Sequence, residues 1–313
     1  MYIGIDLGGT NIAVGLVNEK IEIIKKASAP TIKERDYKEI VADMANLVKK
    51  VTQDAGLSLD GIKAVGIGCP GTVDNSRGVV LYSNNIVMQN VPLAEEFKKH
   101  IDVPVALEND ASAAAYGEYI TMDKKADTFL FVTLGTGVGG GIIINGKIYS
   151  GFNFSAGEIG HTTIVVDGKQ CTCGKKGCWE QYASVTALVS QTKKMMKEHP
   201  ESIMHDWVKE KGRVSGRTAF ECAKRGDKAA IEVKEQYIRY VAEGISNMVN
   251  IFQPEMLVIG GGISKEGNEL LAPIKKFVYK YDYNKEMPKT QIKIARLFND
   301  AGIIGAAMCA KNN

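Results

Sequence analysis

Apolar positions in the first 26 residues form short runs that are separated by glycine and polar residues. The runs at 2–6 and 12–17 predict two strands, and a third strand is predicted near 21–26. The segment Asp-Leu-Gly-Gly-Thr-Asn, residues 6–11, joins the first two. Because a strand follows these glycines where a Rossmann or Walker A loop would need a helix, the pattern disfavours both of those nucleotide motifs.

Two interpretations of this glycine loop stay open on the residues alone. A tight hairpin needs glycine for its backbone conformation, whereas a phosphate-binding hairpin needs glycine to bare its N–H groups. In the second interpretation Asp6 lies beside the phosphates and holds Mg²⁺ through water. The phosphate contacts are then assigned to Gly8, Gly9, Thr10 and Asn11.

The same pattern recurs in the middle of the chain. An apolar run at 128–133 predicts a strand, the glycine-rich segment 134–141 follows with Thr136 and Gly137, and a strand resumes at 142–144. Two copies of a strand–glycine loop–strand unit indicate an internal duplication. We therefore predict an α/β protein with two similar lobes, whose glycine loops hold a nucleotide.

Helix and strand patterns alternate through the rest of the chain, as an α/β fold requires. A strand predicted at 62–69 runs into Gly71, which would let the backbone pass close to a ligand. A strand at 103–107 is followed by Glu-Asn-Asp-Ala, in which Asp110 either faces a ligand or caps the next helix. Further helices are predicted at 37–51, 94–100, 184–198, 218–224, 227–252 and from 301, and further strands at 255–259 and 292–297.

Three of the six cysteines and one of the four histidines fall in one short segment. Cys171, Cys173 and Cys178 are spaced by glycine-containing turns, and His161 lies ten residues upstream. Three thiolates and one imidazole are a usual tetrahedral set for Zn²⁺, and four protein ligands leave no position for a catalytic water. We predict a structural zinc site; reduced cysteines in a tight loop are the alternative.

Composition narrows the class of protein. The 313 residues are 45% hydrophobic and 24% charged, which suits two domains with filled cores, and the net charge of +3 gives no support to nucleic-acid binding. No apolar run reaches the roughly 20 residues that span a bilayer. With no targeting segment and mostly clustered cysteines, we expect a cytoplasmic protein that binds neither nucleic acid nor membranes.

Two carboxylates, Glu158 and Glu180, flank the zinc segment, and carboxylates accept hydrogen bonds from sugar hydroxyls. The stretch Glu-x-Gly-His, followed by C-x-C-G-x2-G-C-x-E, resembles the signature of the ROK family of repressors and sugar kinases. The resemblance covers essentially the whole chain. It implies a two-lobed actin/hexokinase-like (ribonuclease H-like) ATPase fold, with a small lobe of residues 1–116 and 300–313 and a large lobe of 117–299 that carries the zinc insert.

The resemblance also implies site residues. Asp110 matches the family's general base, His161 binds both zinc and sugar, and the adenosine moiety of ATP lies near Gly261 and Gly262. Asn84 stays open as an alternative to Asn85, because Met88 stands where the family commonly has Trp. The residues expected to line the sugar site are then Gly71, Asn85, Asn109, Glu158, His161 and Glu180.

The expected activity is ATP- and Mg²⁺-dependent phosphorylation of the 6-hydroxyl of glucose. Glu-Ile-Gly-His-Thr with Cys-x-Cys-Gly is typical of the family's glucokinases, while kinases for N-acetylglucosamine, N-acetylmannosamine, mannose or allose are alternatives. A sugar-sensing regulator without kinase activity is disfavoured, because the phosphate hairpin begins at residue 2 and the family's repressors carry a helix-turn-helix domain before it. Family habit suggests a homo-oligomer, dimer or tetramer.

Overall fold

The computed structural model describes residues 1–312. The chain divides into two compact units: a first unit of 1–131, 141–157 and 296 onward, and a second unit of 132–140 and 158–295. Each unit is therefore assembled from segments that are distant in the sequence. The lobe limits expected from the sequence, after residue 116 and before residue 300, stay a prediction.

Strands in residues 1–312 form two five-stranded sheets and one three-stranded sheet. The strands are β1 Tyr2–Leu7, β2 Asn11–Val17, β3 Ile23–Pro30, β4 Ala64–Cys69, β5 Thr72–Asp74, β6 Val79–Ser83, β7 Met88–Val91, β8 Val105–Asn109, β9 Thr128–Leu134, β10 Val138–Ile144, β11 Lys147–Ile148, β12 Met256–Gly260 and β13 Gln291–Ile294. The sheet orders are β3-β2-β1-β4-β8, β11-β10-β9-β12-β13 and β5-β6-β7. In the first sheet β1 runs antiparallel to β2 and parallel to β4, which in turn runs parallel to β8.

Helices connect and cover these strands. They are α1 Tyr37–Asp54, α2 Leu93–Lys98, α3 Asp110–Ile120, α4 Glu180–Ala183, α5 Val185–Glu198, α6 Met204–Lys211, α7 Gly216–Lys224, α8 Lys228–Phe252, α9 Asn268–Tyr281 and α10 Ala301–Asn312. Several begin at the side-chain caps that their sequences offer. Ser184 accepts from the Ala187 N–H at 3.0 Å, and Asp227 accepts from the Ala230 N–H at 2.7 Å.

The first sheet is covered differently on its two faces. Ile3, Ile5 and Leu7 alternate along β1 and pack in one apolar cluster with α1, through residues such as Met44. On the opposite face the close approach of α10 depends on glycine, because a Cβ at Gly4 would come within 1.8 Å of the Ile303 carbonyl oxygen. A Cβ at Gly66 would meet the Ala306 oxygen at the same distance. Helix α10 therefore rests on the sheet backbone with no layer of side chains between them at these points.

The second unit packs around α8. Trp179 is fully buried, its indole N–H donates to the Tyr240 carbonyl at 2.8 Å, and its ring lies against Gly244. The Tyr237 hydroxyl donates to the Ala183 carbonyl at 2.9 Å. Trp179 and Ala183 come from the segment that follows the cysteines, so α8 fixes that segment to the core.

Several strand limits differ from the sequence predictions, including those of β3, β10 and the last strand. Strand β3 begins at Ile23 because Ile21 has a φ of +65° and the Asn18 side chain accepts from the Glu22 N–H, which prolongs the turn. The last strand ends at Ile294. Strand β10 already starts at Val138, so the glycines at 139–141, predicted as loop, lie in a strand, where Gly141 allows Ala115 of α3 to approach closely.

Candidate active site and metal centre

The first glycine loop closes the hairpin between β1 and β2. The Gly8 N–H donates to the Asn11 carbonyl at 2.9 Å. Thr31, which follows β3, donates its N–H to the Thr10 carbonyl at 3.0 Å and its hydroxyl to the Gly8 carbonyl at 2.8 Å. The side chains of Thr10 and Asn11 are exposed. The loop therefore has fixed carbonyls on one side and free polar side chains on the other.

Two carboxylates meet at the end of the first sheet. Asp6 is the second-to-last residue of β1, and Asp110 directly follows β8. Because the carboxyl ends of parallel strands lie at one edge of a sheet, both residues are at the same edge. Burial, and secondarily the nearby charge of Asp110, raises the pKa of Asp6 to about 7. The Asp6 side chain also lies against Gly302, at the start of α10. Two carboxylates this close to a glycine loop suit phosphate and metal chemistry.

Asn109 takes the capping position of α3. Its side-chain oxygen accepts from the Ser112 N–H at 3.0 Å, and its side-chain nitrogen donates to the Gly71 carbonyl at 3.0 Å. The alternative that Asp110 is the N-cap is therefore wrong: Asp110 is the first residue of the helix. An N-cap accepts a hydrogen bond that the helix cannot otherwise make, so Asn109 orients the start of the helix and with it Asp110.

Glu108 is a buried carboxyl behind this motif that was not singled out from the sequence. One of its oxygens accepts from the Asn109 N–H at 2.9 Å and the other accepts from the Asn75 side chain at 3.4 Å. Burial raises its pKa. The Glu-Asn-Asp motif is the signal by which Glu108 could have been found. Its partner Asn75 lies 33 residues upstream and has no such signal in the sequence around it.

The four predicted zinc ligands lie together in the second unit. Their ligand atoms all lie within 4.8 Å of one another. The Cys173 and Cys178 sulfurs are 3.6 Å apart, and His161 Nδ1 is 3.6 Å from the Cys171 sulfur. Tetrahedral zinc with ordinary bond lengths requires about 3.8 Å between two sulfurs and about 3.6 Å between sulfur and nitrogen. The donor set and its spacing fit Zn²⁺.

Without a metal, the thiols of this cluster differ in protonation: burial, and then the neighbouring cysteines, raises the pKa of Cys178 to about 12. Burial opposes ionisation of the Cys171 thiol, but hydrogen bonds from Cys173, Cys178 and His161 together lower its pKa to about 7. Zinc ligands must be thiolates, and binding of the metal releases the remaining protons. On the far side of the imidazole, His161 Nε2 lies 3.9 Å from a Glu158 oxygen. Burial, and secondarily Glu180, raises the pKa of Glu158 although His161 lowers it.

The second glycine loop is attached to the segment that follows the cysteines. A Glu180 oxygen accepts from the Val138 N–H at 3.0 Å. The Val185 N–H donates to the Gly135 carbonyl at 2.8 Å, and the Thr186 hydroxyl donates to the Thr136 carbonyl at 2.7 Å. Glu180 therefore uses one of its two oxygens to hold the start of β10.

A cavity of about 700 Å³ opens in the second unit beside the three glycines that follow β12. Lys224 forms ion pairs with the two acidic lining residues, at 2.9 Å to Glu221 and 3.1 Å to Glu266. Its lining includes Trp207, Arg213, Arg217, Glu221, Gly262 and Glu266. Neither Arg213 nor Arg217 has an ion-pair partner in the described chain. The cavity is large enough for a nucleoside and is basic.

Comparison with known families matches the ROK family over residues 2–313. The chain belongs to the ROK family. It is 35% identical over 312 residues to a glucokinase of Halalkalibacterium halodurans, covering 99% of this chain and 94% of that protein. It is 34% identical to a glucokinase of Thermotoga maritima, covering 99% and 96%.

Among solved structures, this ROK protein is similar to a ROK family glucokinase from Streptomyces griseus in complex with glucose and AMPPNP. The TM-score is 0.88 and the identity 36%, covering 100% of this chain and 99% of that one. The match confirms the predicted fold class, the two-lobed actin-like sugar kinase fold. No helix among residues 1–312 has the length and hydropathy needed to cross a membrane.

Each unit of this ROK protein carries its own share of the predicted site residues. In the first unit Asp6, Asp110 and the Asn109–Gly71 pair share one sheet edge, and a Cβ at Gly9 would lie 3.6 Å from the Asn85 Cβ. In the second unit the zinc ligands, Glu158 and Glu180 form one cluster with the loop that contains Thr136 and Gly137. Gly262 lines the basic cavity, and Gly261 precedes it with a φ of +84°.

Proposed function

We propose that this ROK protein is an ATP-dependent hexose kinase that phosphorylates the 6-hydroxyl of glucose. The observation that carries the proposal is its similarity over the whole chain to a glucokinase solved with glucose and AMPPNP. Phosphoryl transfer requires positioned donors for phosphate, a base near the attacking hydroxyl and stabilisation of charge. The residues described above supply candidates for each of these three roles.

Asp110 is the proposed general base. Asn109 caps the helix that Asp110 begins, so the carboxylate has a defined orientation at the end of β8. There it accepts the proton of the sugar's primary hydroxyl as that oxygen attacks the γ-phosphorus, a contribution of about 10²–10⁴-fold in rate. The leaving ADP carries the bridging oxygen and its charge away.

Asp6 is the proposed contact for Mg²⁺, through water. Its carboxylate, at the end of β1 beside the glycine loop, is an oxygen ligand of the kind this ion prefers. When bound, Mg²⁺ offsets the negative charge of the phosphates. A nearby divalent cation also favours the ionised carboxylate, which burial alone disfavours.

Sugar ligands are proposed in each unit separately. Asn109 already makes two hydrogen bonds, which leaves one N–H and one lone pair for a hydroxyl. In the second unit Glu158 and the Nε2 edge of His161 are adjacent, while Nδ1 faces the cysteines. His161 would thus bind zinc with one nitrogen and a sugar hydroxyl with the other. Asn85 or Asn84 completes the set together with Glu180.

The nucleotide sites follow the two glycine loops and the basic cavity. The loops offer backbone N–H groups to the phosphates, and the cavity beside Gly262 offers room and an aromatic face, Trp207, to the adenosine. Arg213 and Arg217 at its wall are free to contact the α-phosphate or the purine. A homo-oligomer in the cytoplasm stays the expectation for the assembly and its location.

The decisive experiment measures kcat/KM for ATP-dependent phosphorylation of glucose, mannose, allose, N-acetylglucosamine and N-acetylmannosamine by the zinc-loaded protein. A sugar-free reaction controls for ATP hydrolysis. Strong preference for glucose supports the proposal. Preference for an N-acetylated sugar keeps the chemistry and overturns the glucose assignment, and no turnover with any sugar overturns the kinase itself.

A further inference from the structure

Both glycine loops are held from behind by a threonine hydroxyl. In the first unit Thr31 donates to the Gly8 carbonyl at 2.8 Å, and in the second unit Thr186 donates to the Thr136 carbonyl at 2.7 Å. Each anchor has a backbone companion: the Thr31 N–H bonds the Thr10 carbonyl, and the Val185 N–H bonds the Gly135 carbonyl. Neither threonine belongs to a glycine motif.

Because the peptide bond is planar, a hydrogen bond that fixes the direction of a carbonyl also fixes the direction of the N–H group that follows it. The carbonyl of one residue and the N–H of the next share one plane and point in opposite directions. Holding the Gly8 oxygen therefore aims the Gly9 N–H away from Thr31, and holding the Thr136 oxygen aims the Gly137 N–H away from Thr186. Peptide planes next to glycine rotate easily because no Cβ opposes the rotation, so these planes are the ones that need an anchor.

We propose that Thr31 and Thr186 are positioning residues for the phosphoryl donor: their hydroxyls fix the peptide planes that present the Gly9 and Gly137 N–H groups to the phosphates. The proposal rests on the proposed function, since it presumes that the loops bind ATP. It assigns the two threonines no contact with the reacting atoms. Their effect is on nucleotide affinity, with sugar affinity unchanged.

The two threonines differ in burial, and this difference predicts which of the two hydroxyls matters more for nucleotide binding. Thr31 is 8% exposed, so loss of its hydroxyl leaves the Gly8 carbonyl without a partner where water has little access. Thr186 is exposed, so water can replace its hydroxyl at the Thr136 carbonyl. Removing the Thr31 hydroxyl therefore weakens nucleotide binding more than removing that of Thr186.

The chain supplies control threonines in both units, which match Thr31 and Thr186 in the kind of hydrogen bond they make. The Thr52 hydroxyl donates to the Val48 carbonyl within α1 at 2.8 Å, and the Thr192 hydroxyl donates to the Leu188 carbonyl within α5 at 2.8 Å. Both residues are buried. Thr52→Val and Thr192→Val delete the same kind of hydrogen bond as Thr31→Val and Thr186→Val, but they leave the glycine loops untouched.

The experiment measures the Kd of AMPPNP and, separately, of glucose by calorimetry for wild type, the four valine variants, Thr31→Ser and Thr186→Ser. The net value of one hydrogen bond corresponds to an about two- to twelvefold change in affinity. We therefore expect AMPPNP to bind about tenfold more weakly to Thr31→Val, whose partner carbonyl is left without water, and about threefold more weakly to Thr186→Val. Glucose affinity stays unchanged in all variants. The serine variants, which keep the hydroxyl, bind AMPPNP like wild type.

Three results would overturn the inference while the proposed function stands: Thr31→Val binds AMPPNP like wild type, the control variants lose as much AMPPNP affinity as the loop variants, or serine fails to restore binding. Wild-type protein that binds no AMPPNP would overturn both the inference and the proposed function. Thermal unfolding of each variant identifies loss of fold. A variant that unfolds near the assay temperature is compared with wild type at a lower temperature, at which both proteins are folded.

Discussion

Replacement of Asp6 by Asn tests the electrostatics of the first unit. Burial, and then the charge of Asp110, raises the pKa of Asp6 from 3.8 to about 7 in the folded protein. A raised pKa means that the folded state holds the proton more tightly than the unfolded chain does. The contribution of Asp6 to the free energy of unfolding is therefore greatest below pH 3.8 and falls as the pH rises from there through about 7.

The magnitude follows from the two pKa values. Ionisation of Asp6 lowers the free energy of unfolding by about 1.7 kcal/mol at pH 5 and by about 4 kcal/mol at pH 8. Asparagine has a similar shape and no charge. Relative to wild type, Asp6→Asn should thus gain about 2.5 kcal/mol of stability between pH 5 and pH 8, while it loses turnover with the proposed Mg²⁺ contact.

The assay is urea unfolding of both proteins at pH 5 and pH 8, in magnesium-free buffer with zinc retained. Asp74→Asn is the control of opposite sign. The Ser76 hydroxyl, opposed in part by burial, and then the Arg77 N–H lower the pKa of Asp74, so its ionised form is the stabilising one. From pH 5 to pH 8 Asp74 is ionised in the folded and in the unfolded protein. Asp74→Asn should therefore destabilise the protein by the same amount at pH 5 and at pH 8.

A difference between Asp6→Asn and wild type that is the same at both pH values would refute the reasoning. So would a variant less stable than wild type by an amount that grows with pH. Addition of Mg²⁺ and AMPPNP to wild type should narrow the gap at pH 8, because a bound cation stabilises the ionised carboxylate.

Three further variants test the base, the zinc cluster and the packing behind it. Asp110→Asn should lower kcat by about 10²–10⁴-fold and leave the Kd of glucose unchanged; near-normal turnover would refute its role as base. Cys173→Ser should lose zinc by elemental analysis, unfold at a lower temperature and bind glucose more weakly, and unchanged glucose affinity would refute the double role of His161. Gly244→Ala places a Cβ 2.0 Å from the Trp179 ring and should cost about 1–3 kcal/mol of stability, whereas Gly61→Ala, with open space at its Cβ, should cost little.

The parts of the fold that were predictable from sequence are those with local signals. The duplicated hairpins follow from alternation and glycine, and the zinc cluster follows from residue types at fixed spacing. Turn chemistry was underestimated after β2, where the Asn18 side chain and the positive φ of Ile21 delay β3. The sequence pattern did not predict that β10 includes glycines 139–141, where Gly141 makes a close tertiary contact with Ala115 of α3.

The candidate site divides in the same way. Asp110 could be singled out because it follows a strand in a recognisable motif. The capping of α3 by Asn109 and the hydrogen bond from Asn75 to Glu108 depend on the fold and have no local signal. Thr31 donates its hydroxyl to the carbonyl of Gly8, which lies 23 residues earlier in the chain. Nothing in the sequence around Thr31 distinguishes it from other threonines. The residues proposed to contact ligands lie in motifs, whereas the residues that hold those motifs in place are scattered through the chain.

The position of α10 has a consequence for the synthesis of the protein. The face of the first sheet that α10 covers, with Tyr2, Val17, Ala64 and Ala106 in its cluster, is made early, while α10 follows only after residues 158–295. At 5–20 residues per second the ribosome needs on the order of 10 s for that interval. During it, the nascent first unit exposes the apolar face that α10 later covers. An exposed apolar face of this kind is a site for chaperone binding and for aggregation.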